Sequence, residues 1–229
     1  MIPVLLLLAK NFMRQNQWLL LAFVLWPFLL GAFIWSPQHH ANQAEVTEVV
    51  QQEVFYGVAV VAFLASSAVY NEKRSRRIIG VLSKGISRGR YLSGLLLACS
   101  VFALIYFAAV ATAGIWLLGA SGPIFRACVC VIAQGSTAAF WAASLALLFA
   151  TFLHPFLAAA MSGSAIFAPL AISKPNVVLS SGATLMTLAG RLAPTIAWPA
   201  VAASLLQAGA FMLIAIGIFS TRDVTANIE

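Results

Sequence analysis

Charge is scarce in this sequence. Only 8% of its 229 residues are Asp, Glu, Lys or Arg, where a soluble domain carries roughly 25%. With 62% hydrophobic residues and a mean hydropathy of +0.97, water-soluble folding would leave most of the apolar surface with nowhere to go. The bilayer is the natural solvent. Cysteine is also rare: Cys99, Cys128 and Cys130 show no CxxC spacing and have no nearby His, which argues against a metal or redox site. They read as small buried hydrophobes. No G-x-x-x-x-G-K-[ST] loop is present, so the chain does not hold ATP in that way.

What the chain does have is long apolar runs. Six of them, at 18–35, 54–70, 91–118, 127–152, 155–172 and 199–219, contain no Asp, Glu, Lys or Arg. A membrane span takes about 20 mostly apolar residues, and the expectation is an all-α polytopic membrane protein with six transmembrane helices in one domain, 1–229. The fifth run is short and bracketed by Pro155 and Pro169. Residues 1–17 resemble a signal peptide only superficially, because Lys10 and Arg14 follow the apolar core and no small-residue cleavage site does. An interfacial helix with Lys10, Arg14 and Gln17 on its wet face fits better. The stretch 173–198 is too apolar for a solvated loop and too interrupted, by Gly182, Gly190 and Pro194, for a clean span. It reads as a re-entrant outer segment.

The net charge of +7 is unevenly spread. Seven of the 13 Lys and Arg residues lie between Lys73 and Arg90. No aromatic residues interleave with that cluster, and nucleic acid is not expected as a partner. With the N-terminus inside, ten basic residues fall on the cytoplasmic side, and only Arg126, Lys174 and Arg191 fall outside. The positive-inside bias then puts both termini in the cytoplasm of a multi-pass inner (plasma) membrane protein. The same layout assigns Glu45, Glu48 and Glu53 to the first outer loop.

The segment 71–90 joins the second and third spans. A helix from Glu72 to Ser83 would align Ile78, Ile79 and Leu82 on one stripe, with Lys73, Arg74, Arg76 and Arg77 opposite. Such a cytoplasmic amphipathic helix suits docking into a partner's groove. A basic loop that only anchors topology is the competing reading.

Glu72, Gly80, Leu82, Ser83, Ile86, Ser87, Arg88, Tyr91, Leu92 and Gly94 form a pattern that resembles the coupling segment of type-2 ABC transporter permeases. Gly85 stands where that family favours Pro, and Leu95 where it favours Lys. The layout over nearly the whole chain is also similar. The resemblance implies a permease subunit, not an enzyme by itself, of an ATP-driven exporter. It would pair with a second permease copy and with separate cytoplasmic ABC ATPase subunits, which bind the ATP and Mg; the chain itself would bind no cofactor. The residues implied in ATPase coupling are Glu72, Arg74, Arg77, Ile78, Ile79, Leu82 and Arg88.

Two other functions match parts of the sequence. An ion-coupled secondary carrier commonly needs an ionisable side chain at membrane depth, and the six runs hold none. A rhomboid-like intramembrane serine protease is suggested by Gly119-Ala120-Ser121-Gly122, but its serine needs a histidine within reach. His154 ends the span that Ser121 precedes, so it would lie across the bilayer, and Ser121 reads as a cap or turn residue. Gln134 and Gln207 are the bulkiest polar side chains in the runs. They are candidates for lining a substrate path, with interhelical hydrogen bonding the favoured role.

Overall fold

The computed structural model describes residues 2–34, 42–74, 87–119, 121–171 and 181–221. Most of these are helical, and no strand occurs among them. The elements are α1 (Ile2–Gln15), α2 (Gln17–Ile34), α3 (Gln43–Arg74), α4 (Arg88–Leu118), α5 (Gly122–Ala150), α6 (Pro155–Phe167) with a 3-10 turn (Ala168–Ala171), α7 (Ser181–Gly190) and α8 (Trp198–Thr221). Five of them, α2, α3, α4, α5 and α8, are long and apolar enough to cross a membrane. The protein is therefore an all-helical, multi-pass membrane protein.

The expected fifth span is shorter than the others. The α-helix there stops at Phe167, and the 3-10 turn that follows contains Pro169, whose ring nitrogen cannot donate to a helix ladder. The second span is longer than its apolar run. α3 starts eleven residues before Val54 and continues to Arg74.

α5 is the hub, packing against α3, α4, α6, α7 and α8. The α3–α4 and α4–α5 pairs are antiparallel. A Cβ added at Gly114 would meet Cys128 and Val50 at one end, and one at Gly135 would press on Phe107 nearer the middle. One end of the bundle gathers the last turn of α3, the first turn of α4, the turn after α5 and the last turn of α8. There the Tyr70 ring meets His154 at 5.3 Å, and Tyr91 stacks on Phe219 at 6.4 Å. α1 docks at that end too, with Leu8 over Gly94 and with Ala9 and Phe12 buried. Lys10, Arg14 and Gln17 are exposed. Asn16 interrupts the helix between α1 and α2, but the backbone bonds Asn16 N to Phe12 O and Leu20 N to Asn16 O carry through it.

α7 is short and buried. Gly182 lies against the Trp141 ring, where an added Cβ would come within 2.5 Å, and Gly190 lies against the Gln51 backbone. Ser181 is thus at mid-bundle, and Gly190 is at the end where α3 begins. Leu192 closes the helix at φ 51, and Ala193 N donates to the Leu188 carbonyl at 3.2 Å, a six-to-one bond of the kind that ends helices in a left-handed residue.

Candidate functional site

The feature with most chemical potential is Glu53, assigned from sequence to an outer loop. The structure corrects that. Glu45, Glu48 and Glu53 are on α3, and although Glu45 and Glu48 are exposed, Glu53 is 1% exposed. It lies ten residues into the helix, about 15 Å from its start at 1.5 Å per residue. A carboxyl in apolar surroundings is costly unless other groups satisfy it. Here Tyr106 of α4 supplies the contact: its hydroxyl is 2.6 Å from Glu53 Oε2 and 2.9 Å from the Glu53 carbonyl oxygen. Oε1 has no hydrogen-bond partner.

Packing fixes the tyrosine. Its ring meets Phe23 at 5.7 Å and Phe107 at 5.3 Å, both edge to face. Gly57, one turn beyond Glu53, leaves the space that the ring fills, since an added Cβ would overlap Tyr106. Beside the pair, between α2 and α3, is a cavity of about 320 Å3 lined by Ala22, Phe23, Trp26, Tyr56 and Val60. Phe23 and Trp26 are therefore shared between the cavity wall and the surroundings of the carboxyl. Pro27 follows within α2 and has no N–H to offer the Phe23 carbonyl four residues back.

The expected coupling residues divide. Arg77, Ile78, Ile79 and Leu82 lie outside the described residues. Glu72 and Arg74 are in the last turn of α3. Because α3 is continuous to Arg74, Glu72 does not open a new helix, and an acidic residue at a C-terminal turn does not gain from the helix dipole as one at an N-terminus would. Arg88 begins α4, capped by Ser87, whose hydroxyl accepts from Arg90 N at 3.4 Å. The Arg88 side chain turns to α8: Nη1 donates to the Phe219 carbonyl at 2.9 Å and to the Ser220 carbonyl at 3.0 Å.

Gln134 and Gln207 hydrogen-bond to neighbouring elements of the bundle. Gln134 is fully buried, and its Nε2 donates to the Thr195 carbonyl at 2.7 Å. Gln207 Oε1 accepts from Trp141 Nε1 at 2.7 Å and from Ser181 Oγ at 3.0 Å, tying α8 to α5 and α7. Ser121 occupies the N-cap position of α5 without a side-chain capping bond. His154 stands beyond the other end of that helix, whose 29 residues extend about 43 Å. A serine–histidine pair is geometrically excluded for these two residues. Cys99, Cys128 and Cys130 are buried free thiols, and no His/Cys/Asp/Glu cluster among the described residues could hold a metal ion.

Sequence reasoning missed Glu53 because the second apolar run was bounded at that charge, and Tyr106 because a lone tyrosine inside an apolar run does not reveal its partner. The signal that could have found them was the spacing of Val46, Val50, Glu53, Val54, Gly57 and Val58, which continues one helical face across the carboxylate. No protein-family model matches this chain, and no curated protein matches it.

Proposed function

We propose that this chain is the membrane-spanning subunit of an ATP-driven ABC exporter, working as a dimer with separate cytoplasmic ATPase subunits. The observation that carries this reading is the sequence pattern from Glu72 to Gly94. The described flanks of that pattern, the last turn of α3 and the first turns of α4, stand at the end of the bundle where exposed Lys10, Arg14 and Arg90 also gather. In this reading that end faces the cytoplasm of the inner (plasma) membrane. α1 lies in the interface, α6 with its 3-10 turn makes the fifth of six crossings, and α7 is the re-entrant helix on the outer side. The stripe Ile78, Ile79 and Leu82 sits in a cleft of the ATPase, with Arg74 or Arg77 at its rim.

The test is co-purification of an ABC ATPase with the affinity-tagged chain from native membranes. Burying each Ile or Leu contributes about 1.5–3 kcal/mol, so Ile79→Asp with Leu82→Asp detaches the ATPase. Exposed ion pairs contribute about 0–1 kcal/mol, so Lys73→Ala leaves it bound. A double variant that keeps its ATPase and its transport, while loss of basic residues abolishes both, sinks the assignment.

Glu53 favours a second reading, an ion-coupled secondary carrier, since it is an ionisable group inside a span-length helix. Proton flux in proteoliposomes containing the chain alone, abolished by Glu53→Gln, would select this reading over the exporter.

A further inference from the structure

We infer that the α2–α3 cavity is a binding site for a hydrophobic amine, whose apolar body fills the cavity and whose ammonium group is received by Glu53. The cavity's volume of about 320 Å3 falls at the small end of the range for ligand pockets, which are mostly apolar with a few placed polar groups. Its five lining residues supply the apolar part. The polar group is one layer behind them. Glu53 is buried, one carboxyl oxygen is left without a donor, and no described Lys or Arg pairs with it.

What that oxygen lacks is a hydrogen-bond donor, and an ammonium supplies one with complementary charge. A fatty acid or phosphate would bring an anion to an acidic side chain, and a plain acyl chain would leave the oxygen as it is. Trp26 is at once a wall of the cavity, half-exposed, and a neighbour of the carboxyl. It stands next to Pro27, where the α2 ladder lacks a bond. Rotation of this indole toward the lipid opens the way to Glu53. The inference concerns the chain alone and holds under either functional reading.

The experiment uses the full chain in lipid nanodiscs and an octylamine carrying a diazirine in its alkyl chain, with the matching octanol diazirine as control. After photolysis, adducts are located by mass spectrometry. The amine labels Phe23, Trp26, Tyr56 or Val60, and excess unlabelled octylamine competes it away. Glu53→Gln lowers that labelling about tenfold or more, the effect of losing one charge-assisted hydrogen bond, and leaves octanol labelling unchanged. If amine and alcohol label the groove equally, or if Glu53→Gln has no effect, the groove is an ordinary lipid-facing surface and the inference fails. Should Glu53→Gln not fold, the unmutated chain decides, and equal labelling by amine and alcohol overturns the site.

Discussion

Arg88 begins α4 and closes α8. Its guanidinium donates to the carbonyls of Phe219 and Ser220 and lies 6.0 Å from the centre of the Phe219 ring. Those carbonyls belong to the last turn of α8, where a helix has no partners of its own and a positive charge is favoured. Arg88→Ala therefore destabilises the chain itself, by about 1.5–3 kcal/mol for hydrogen bonds from a charged donor. Arg88→Lys, a point charge without the fork, recovers part of the loss. The buried thiols Cys99, Cys128 and Cys130 serve as built-in reporters, since a thiol-reactive dye labels them only on unfolding. Arg88 would be only a coupling residue if Arg88→Ala left the melting curve of the isolated chain unmoved.

Tyr106 and Glu53 should behave as a unit. Tyr106→Phe strands a buried carboxyl and costs about 1–3 kcal/mol, whereas removing both partners costs less than stranding one. Tyr106→Phe combined with Glu53→Leu is expected to melt above Tyr106→Phe alone. Strict additivity in that double-mutant cycle would mean the 2.6 Å contact carries no coupling.

Glycine positions give a contrast within one molecule. Gly57→Ala drives a Cβ into the Tyr106 ring, and overpacking of this kind costs about 1–3 kcal/mol. Gly163 and Gly209 have nothing within 4 Å of an added Cβ. Substitution of either by Ala is neutral or stabilising, by up to about 1 kcal/mol of helix propensity. Melting temperatures of the three variants check the order.

Gln207→Leu removes the shared acceptor of Trp141 and Ser181. Interhelical bonds of this type contribute about 0.6 kcal/mol on average and about 1.7 at most, so a loss of 1–2 kcal/mol is expected by the same measure. Transport at equal expression discriminates the roles. A tie between helices lowers stability and leaves substrate preference alone, whereas a path-lining residue changes preference at constant stability.

The helices were legible because their cause is local. Apolar runs of span length announce themselves. The position of Glu53 was not legible, because a carboxylate reads as a loop residue until its partner is known, and that partner is 53 residues away on α4. Chain order hides such pairs. For the same reason Arg88 looked like part of a basic cluster, although the carbonyls it serves are 131 and 132 residues downstream. The shortness of the fifth helix was foreshadowed by Pro169. The continuation of α3 through Glu72 was not, since the charges there are as compatible with a helix's last turn as with a new one.

The central position of α5 has a consequence for how the protein is made. When α4 has entered the membrane, α3 and α4 already share the bond from Tyr106 to Glu53, so an antiparallel pair exists early. The surfaces of α3 and α4 that meet α5 then stay against lipid until residues 122–150 arrive. α6, α7 and α8 follow in order and each finds α5 already in place. Biogenesis therefore divides at Gly122: a paired first half, a keystone, and three late pieces added to it.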